Sequence, residues 1–158
     1  MTADSPTVWL AGPEQAEAVA ALLGGFRDHL GASSPSDGTL LASVRLLLER
    51  ADTEFWLGAT GENGPALGVC QLRFRPCVWT ASDDCWLEDL FVAAEARRRG
   101  VGRALVQRAF ARARERGCRR IELDTDEDNY GAIALYESLG LSARSKGRSR
   151  SLVLGARL

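Results

Sequence analysis

The stretch that decides the fold is Ala96-Arg97-Arg98-Arg99-Gly100-Val101-Gly102-Arg103-Ala104-Leu105. It follows the alternating run Trp86 to Val92, which predicts a strand, and it opens a periodic segment that predicts a helix from about Val101 to Arg116. A glycine pair therefore lies where a strand passes into a helix. Free backbone N–H groups and the positive end of the helix dipole meet at such a junction, which is typical of a phosphate-binding turn. The alternative is an ordinary turn with a solvated arginine face.

Two familiar phosphate-binding loops do not fit this turn. The dinucleotide fingerprint requires a small residue where Leu105 stands, and the Gly-Lys-Ser/Thr ending of a P-loop is absent. The charge is segregated, because ten arginines lie between Arg97 and Arg120 while acids cluster at Asp83 to Asp89 and at Glu122 to Asp128. The net charge is −1 and no nucleic-acid-binding signature accompanies the arginines, so no nucleic-acid partner is expected.

Cysteine and histidine usage bounds the chemistry. The four cysteines have no Cys-x-x-Cys spacing and His29 is the only histidine, so neither a zinc site nor a histidine-based triad is expected, and no metal is predicted. The cysteines are expected to be reduced core residues of a cytoplasmic protein, with a Cys77–Cys85 pairing left open. No signal-peptide pattern or membrane-length apolar run occurs, so no membrane association is predicted. The length fits a single domain, residues 1–158.

Before the arginine turn, the pattern predicts a short strand, two helices and an antiparallel meander. The strand covers Thr7 to Ala11, and a loop rich in Gly, Ser and Pro from Leu30 to Gly38 separates the helices. The meander comprises Glu54 to Thr60, Ala66 to Trp79 and the strand that ends at Val92. Strict alternation places Trp86, Glu88, Leu90 and Val92 on one face of that last strand, and Leu87, Asp89 and Phe91 on the other.

After the arginine turn, the pattern predicts a crossover and a final helix. A strand from Cys118 to Asp124 follows the arginine-rich helix, and this strand–helix–strand order implies a parallel pair. Asp128 or Asn129 caps the final helix, which ends at Gly140. Two short strands are predicted at Leu141 to Ala143 and Ser151 to Leu154.

Three motifs in this order match one family. They are Arg97-x-x-Gly100-x-Gly102, the preceding strand Glu88-Asp89-Leu90-Phe91-Val92, and the Asn129 to Gly140 segment Asn-Tyr-Gly-Ala-Ile-Ala-Leu-Tyr-Glu-Ser-Leu-Gly. Together they resemble the GNAT superfamily of acetyl-coenzyme A-dependent N-acetyltransferases, over essentially the whole chain. The resemblance implies an α/β (α+β) GNAT fold: a mixed central sheet of about seven strands with an antiparallel N-terminal meander, flanked by about four helices.

The resemblance also implies a binding site for acetyl-CoA as co-substrate. Backbone amides from Arg98 to Arg103 are expected to cradle the pyrophosphate, with arginine side chains in support. In the family, the strand holding Leu90 to Val92 splays from the next one, Ile121 to Thr125, and the gap accepts the pantetheine arm as if it were a strand. The implied coenzyme-binding residues are Leu90, Phe91, Val92, Arg97, Arg98, Arg99, Gly100, Val101, Gly102, Arg103 and Asn129.

Two side chains are assigned catalytic roles from the same resemblance. Tyr136 matches the family position that acts as general acid toward the leaving thiolate, the alternative being a core tyrosine. Glu88 is the candidate base for the amine, with Asp89 as the alternate, while substrate recognition or an ion pair is the competing role for Glu88. A backbone N–H near Phe91 or Val92 is expected to stabilise the oxyanion.

The acceptor is less well determined than the donor. The strand Trp86 to Val92 resembles that of diamine and polyamine N-acetyltransferases, and a negative cleft favours a cationic amine such as a polyamine or aminoglycoside. The acids concerned are Asp83, Asp84, Glu88, Asp126, Glu127 and Asp128. The final-helix segment resembles enzymes that acetylate ribosomal protein amino termini, although their aromatic pair is absent. Alternatives are therefore a protein N-terminal or lysine acetyltransferase and a non-catalytic acyl-CoA-binding module, and a homodimer is an open expectation.

Overall fold

The computed structural model describes residues 5–158, which form one five-stranded sheet with four α-helices. The strands are β1 (Thr7–Leu10), β2 (Thr53–Ala59), β3 (Gly68–Cys77), β4 (Ser82–Val92) and β5 (Ile121–Glu122). The helices are α1 (Ala16–His29), α2 (Asp37–Leu48), α3 (Val101–Glu115) and α4 (Tyr130–Ser138). In the sheet the strands follow chain order, with β1 to β4 antiparallel and β5 parallel to β4. The predicted mixed sheet and meander are confirmed.

Helices cover both faces of the sheet. On one side, called the α3 face, Leu72 and Leu87 of the sheet pack with Leu105 and Val106 of α3. On the other side, called the α1–α2 face, Phe55, Leu57 and Val69 pack with Val19 of α1 and Val44 of α2. Each helix turns its apolar stripe toward the sheet, which buries two separate hydrophobic clusters.

Local sequence signals explain where the helices begin and end. Ser36 caps α2 by accepting a hydrogen bond from Thr39 N–H at 3.2 Å, and Asn129 caps α4 in the same way through Ala132 N–H at 3.4 Å. Gly117 follows α3 with a φ of 76°, a left-handed conformation that suits glycine at a helix end.

A β-bulge at Glu88 makes the predicted alternation along β4 wrong. Leu72 of β3 lies opposite Leu87, but the residue before it, Gln71, lies opposite Asp89. Glu88 therefore has no partner in β3 and is the extra residue. Leu87, Leu90 and Val92 therefore share the α3 face, while Asp89 and Phe91 lie on the α1–α2 face. The extra residue reverses the face on which every later side chain of β4 lies. No residue pattern in the strand predicts the bulge.

The last two strands of the sheet separate after a short contact. Pairing of β4 with β5 covers Cys85 with Ile121 and Trp86 with Glu122. The predicted strand from Cys118 to Asp124 is thus shorter than expected, while β4 continues alone to Val92. The pairing ends there, as the expected splay requires, and among the described residues no strand pairs with the far half of β4 on this edge.

The prediction of about seven strands is wrong, because the described chain forms five. Neither Leu141 to Ala143 nor Ser151 to Leu154 is a strand, although Ser151 N–H donates to Ala143 O at 2.8 Å where a hairpin was expected. The segment between them is almost entirely polar, and Leu152, Val153 and Leu154 are between 68% and 90% exposed. With so little apolar burial, nothing offsets the entropy cost of ordering two more strands.

Candidate active site

The arginine–glycine turn presents a row of free backbone donors. Arg98 and Gly100 both have left-handed backbone, with φ of 62° and 85°, and α3 begins directly after them. The first helical bond of this end joins Ala104 N–H to Gly100 O at 2.9 Å. Within residues 5–158, the N–H groups of residues 98 to 103 donate to no carbonyl or side chain. Such a row at a helix N-terminus is an anion-binding arrangement.

The two glycines of this turn, Gly100 and Gly102, differ in whether the backbone requires glycine at their position. Gly100 needs its positive φ, and a Cβ there would also come within 3.3 Å of Pro6 Cγ. A Cβ on Gly102 would meet Val92 Cγ2 at 3.6 Å and Leu135 Cδ2 at 3.7 Å, which are ordinary van der Waals distances. The fold therefore requires glycine at position 100, whereas position 102 tolerates a methyl group.

The arginine side chains around the turn divide into free and engaged groups. Arg98 and Arg99 are exposed and form no ion pair with another described residue. Arg97 donates from Nε to Val92 O at 3.0 Å, and its guanidinium lies 5.8 Å from the centre of the Phe91 ring. Arg103 donates to Ser138 Oγ at 2.9 Å and so links α3 to α4. Only part of the predicted arginine set is therefore unengaged.

The end of β4 offers backbone groups along its open edge. Ala93 N–H donates to Leu67 O at 2.7 Å, on the β3 side. Because the carbonyl and the N–H of one peptide unit point in opposite directions, Val92 O points away from β3 and into the splay. Leu90 and Val92 project their side chains to the α3 face, whereas the Phe91 ring stacks on Phe26 of α1 at 5.6 Å.

The two neighbouring carboxylates of β4 have different surroundings. Glu88 is exposed and its Oε2 lies 2.8 Å from Arg73 Nη2 in an ion pair. Asp89 is partly buried and has no hydrogen-bond or ion-pair partner among the described residues. Burial raises the pKa of Asp89 to about 6, and the negative charges of Glu88 and Asp124 contribute in the same direction.

Tyr136 lies on α4 and packs against the cluster on the α3 face. Burial raises the pKa of its hydroxyl to about 12, with further contributions from Cys70 and Asp124, so the hydroxyl keeps its proton at neutral pH. Asp124 follows β5 and is electrostatically coupled to both Tyr136 and Asp89. The Asp89 carboxylate and the Tyr136 phenol thus lie on opposite faces of the sheet, beside the splay.

Other predicted residues are held by the fold. Asn129 accepts from Ala132 N–H and donates from Nδ2 to Thr125 Oγ1 at 3.4 Å, so its side chain caps α4. Asp84 is buried and paired with Arg120 at 2.6 Å, which removes it from the acids available to a substrate. One residue was missed by sequence reasoning: Gln71, buried opposite Asp89, a position that only the bulge creates.

None of the helices in residues 5–158 has the length and apolar character needed to cross a bilayer. Across the same residues, no group of three or more His, Cys, Asp or Glu side chains is arranged to hold a metal ion.

Two cavities lie away from the turn. The one of about 530 Å³ is at the β3–β4 hairpin beside Val78, and the one of about 440 Å³ is between α1 and α2 beside Gly24.

A sheet splayed beside a helix N-terminus with free donors is the arrangement that the resemblance to the GNAT superfamily implies. Residues 18–141 match the acetyltransferase (GNAT) family. The chain belongs to this family, and the predicted family membership is confirmed.

Two sequence relatives and two solved structures illustrate the similarity. An uncharacterized N-acetyltransferase of Methanocaldococcus jannaschii is 32% identical over 100 residues, which cover 56% of this chain and 43% of the relative. The aminoglycoside N(6')-acetyltransferase type 1 of Klebsiella aerogenes is 34% identical over 90 residues, which cover 53% of this chain and 57% of the relative. The chain thus spans about half the length of the curated relatives it matches.

Solved structures align over nearly the whole chain. A putative acetyltransferase from Arthrobacter sp. FB24 has a TM-score of 0.85 and 27% identity, covering 100% of this chain and 98% of its own. An aminoglycoside N-acetyltransferase in complex with CoA has a TM-score of 0.76 and 20% identity, covering 97% and 94%. The second similarity is one of fold.

Proposed function

We propose that this protein transfers the acetyl group of acetyl-CoA to the primary amine of a small cationic acceptor. The observation that carries the proposal is the row of free N–H groups from 98 to 103, beside the open edge of β4. A pyrophosphate at the turn and an amide-containing arm along the strand would both find unpaired partners there. Membership of the GNAT family supports this donor.

The residues of the turn fit the donor in a specific way. The N–H row supplies hydrogen bonds to phosphate oxygens, and exposed Arg98 and Arg99 supply charge. Val92 O, which Arg97 occupies in the free chain, is a candidate acceptor for an amide N–H of the pantetheine arm. Asn129 is expected to contribute from the N-terminus of α4 while it retains its capping bonds.

The proposed chemistry is a direct attack of the amine on the thioester carbonyl. A carboxylate removes one proton from the acceptor ammonium, the nitrogen forms a bond to the carbonyl carbon, and the carbon–sulfur bond breaks. Tyr136 then gives its hydroxyl proton to the departing thiolate, and the acetylated nitrogen loses its second proton to solvent, from which Tyr136 is reprotonated. A backbone N–H at the end of β4 would donate to the oxyanion.

Asp89 is the carboxylate that we favour as base, with Glu88 as the alternative. A general base works best when its pKa lies near the working pH, and burial raises the pKa of Asp89 to about 6. Glu88 is instead neutralised by Arg73. Replacing each by its amide separates them: Asp89→Asn should lower kcat by about 100-fold or more, whereas Glu88→Gln should lower it only a few-fold.

A small cationic acceptor is supported by the acids that surround the splay. Asp89 and Asp124 have no ion-pair partner in the described chain and would attract an ammonium group. The similarity to an aminoglycoside N(6')-acetyltransferase favours the same class of acceptor.

A thiol-release assay over a panel of amines tests the proposal. The panel contains spermidine, kanamycin, a peptide with a free amino terminus and a lysine peptide. Turnover of spermidine or kanamycin is expected, whereas turnover of peptides alone would favour protein acetylation. Tight acetyl-CoA binding with no turnover of any amine would favour a non-catalytic binding module. Tyr136→Phe should lower kcat by about 100-fold with acetyl-CoA affinity retained, and unchanged turnover would remove the acid role.

A further inference from the structure

Gln71 is a buried polar residue that the fold leaves without a partner. It lies in the middle of β3, the residue is 7% exposed, and its amide forms no hydrogen bond with any residue in the described part of the chain. Proteins bury few unpaired amides, because each loses its hydrogen bonds to water without replacement. An unpaired amide in a β-strand core therefore needs an explanation.

The amide is not sealed inside the core. Among residues 5–158, the only fully enclosed side-chain nitrogen or oxygen without a partner is Arg108 Nε. The polar end of Gln71 therefore still touches space that solvent can enter. Along β3 on the same face, Val69 is fully buried and Arg73 is exposed. Gln71 thus lies where the helix-covered part of the α1–α2 face gives way to the open part.

The bulge at Glu88 places Asp89 directly across from this amide. Phe55, Gln71 and Asp89 form one row across β2, β3 and β4 on the α1–α2 face. Cβ atoms of such directly opposed residues lie about 4.5–5.5 Å apart. With a regular register, Gln71 would face Glu88 instead. The row thus places the unpaired amide of Gln71 next to the unpaired carboxylate of Asp89, the proposed base.

The chemistry of the pair is that of an ammonium site. The amide oxygen and the carboxylate oxygens all accept hydrogen bonds, and a primary ammonium group has three N–H donors to share among them. Asp124 adds negative charge, and Arg73 is already held by Glu88 at 2.8 Å. An anion is disfavoured beside two carboxylates, whereas a cation gains both partners.

We propose that Gln71 is an acceptor-binding residue whose amide oxygen, together with the Asp89 carboxylate, holds the reacting primary ammonium. This inference rests on the proposed acetyl transfer and specifies the group that orients its acceptor. Gln71 donates no proton and forms no covalent bond. Gln71 directs the acceptor nitrogen toward the splay. Removing its amide should therefore weaken binding of the acceptor and leave binding of acetyl-CoA unchanged.

Steady-state kinetics of Gln71→Leu test this inference, using whichever of spermidine or kanamycin the wild-type protein acetylates. The KM for the amine should rise at least about tenfold, the loss expected for one charge-assisted hydrogen bond. The KM for acetyl-CoA should stay within about twofold, and the Tm should not fall, because Gln71 has no hydrogen-bond partner in the described chain to lose. Gln107→Leu, at an exposed position of α3, is the matched control and should leave both KM values unchanged.

Contrary outcomes are distinct. An unchanged amine KM in Gln71→Leu overturns the inference while wild-type turnover preserves the proposed function. A fall in Tm with both KM values raised assigns Gln71 a structural role only and also overturns it. No wild-type turnover of any amine overturns the proposed function itself.

A double-mutant cycle provides a second test that does not depend on one variant. If Gln71 and Asp89 hold the same ammonium group, the losses in kcat/KM for Gln71→Leu and Asp89→Asn should be non-additive, with the double variant clearly less impaired than the product of the two single effects. Strict additivity would show that the two side chains do not share a ligand and would contradict the inference.

Discussion

At the beginning of α3, Arg98 and Arg99 are exposed and form no ion pair with another described residue, whereas further along, Arg112 and Arg116 converge on the buried carboxylate of Glu54. Arginines therefore have different surroundings in the turn before α3 and in the second half of α3 with its C-cap. The turn leaves these two arginines without an ion-pair partner in the described chain. The second half of the helix uses its charge to fasten α3 to the sheet.

The second half of α3 forms a connected network. Arg112 Nη2 lies 2.7 Å and Arg116 Nη1 3.3 Å from Glu54 Oε1, and Trp56 Nε1 donates to Glu54 Oε2 at 3.0 Å. The Arg108 guanidinium lies 4.5 Å from the centre of the Trp56 ring. The Glu54 carboxylate compensates the charge of Arg112 and Arg116, and the Trp56 ring packs against Arg108, so these arginines are engaged within the fold.

The largest expected effect is on the network end. Glu54→Gln should lower the free energy of unfolding by about 2 to 3 kcal/mol, somewhat below the ~3–5 kcal/mol of a fully buried pair, because Arg112 and Arg116 reach water. Denaturant unfolding measures this change. Glu17→Gln, which breaks the exposed pair with Arg45, is the control and should leave stability unchanged. The contrast between the turn before α3 and the Glu54 network fails if Glu54→Gln reduces the free energy of CoA binding by as much as it reduces the free energy of unfolding.

Acid pH should act on the same end. Burial acts to raise the pKa of Glu54, but hydrogen bonds from Arg112 and Trp56 outweigh it and hold that pKa below the usual value of 4.5. The stability from this lowered pKa is present above pH 4.5 and is lost as the pH falls through the folded-state pKa. Thermal unfolding between pH 3 and 6 should show a smaller acid loss in Glu54→Gln than in the wild type. Equal slopes would contradict the assignment.

A smaller effect is expected at the turn itself. Gly100→Ala should cost about 1 kcal/mol in unfolding free energy, because alanine is strained in left-handed backbone, and should also weaken CoA binding by distorting the donor row. Chemical denaturation and calorimetric titration with CoA measure the two effects. Retention of full CoA affinity in a folded variant would count against the turn as the binding site.

Removing the free arginines should affect binding without affecting stability. The double variant Arg98→Ala/Arg99→Ala should raise the Kd for CoA by about 3- to 10-fold, with a difference that shrinks as salt is added, while its Tm stays the same. The matched control is Arg114→Ala/Arg119→Ala, which removes equal charge from exposed positions elsewhere. An equal loss in the control would mean that net charge, and not position, attracts the ligand.

The smallest effect is expected for Gly102→Ala. A Cβ fits at this position, so the free energy of unfolding should not fall and the Kd for CoA should stay within about twofold of wild type. A large loss of affinity in this variant alone would show that the ligand approaches the backbone more closely at 102 than at 100.

Much of the fold followed from local signals. Apolar periodicity indicated all four helices, the Gly-x-Gly turn marked the start of α3, and Ser36 and Asn129 were recognisable as caps. The bulge at Glu88 was not predictable, because it depends on how β3 pairs with β4 and leaves no mark in the residue pattern. The expected C-terminal strands do not form, because their apolar residues Leu152, Val153 and Leu154 remain exposed and so offset little of the entropy cost of ordering.

By itself, the sequence determined the family, the arginine–glycine turn before α3 and the residue types available for chemistry, because these depend on backbone conformation and on short motifs. Tertiary structure alone decided which charges are paired and which carboxylate of β4 is partly buried without a partner in the described chain. Glu54 lies 58 residues before Arg112 in the chain, and Gln71 meets Asp89 only through the bulge. Pairing of distant groups sets burial and charge neutralisation, and these properties turn a list of candidate residues into a site.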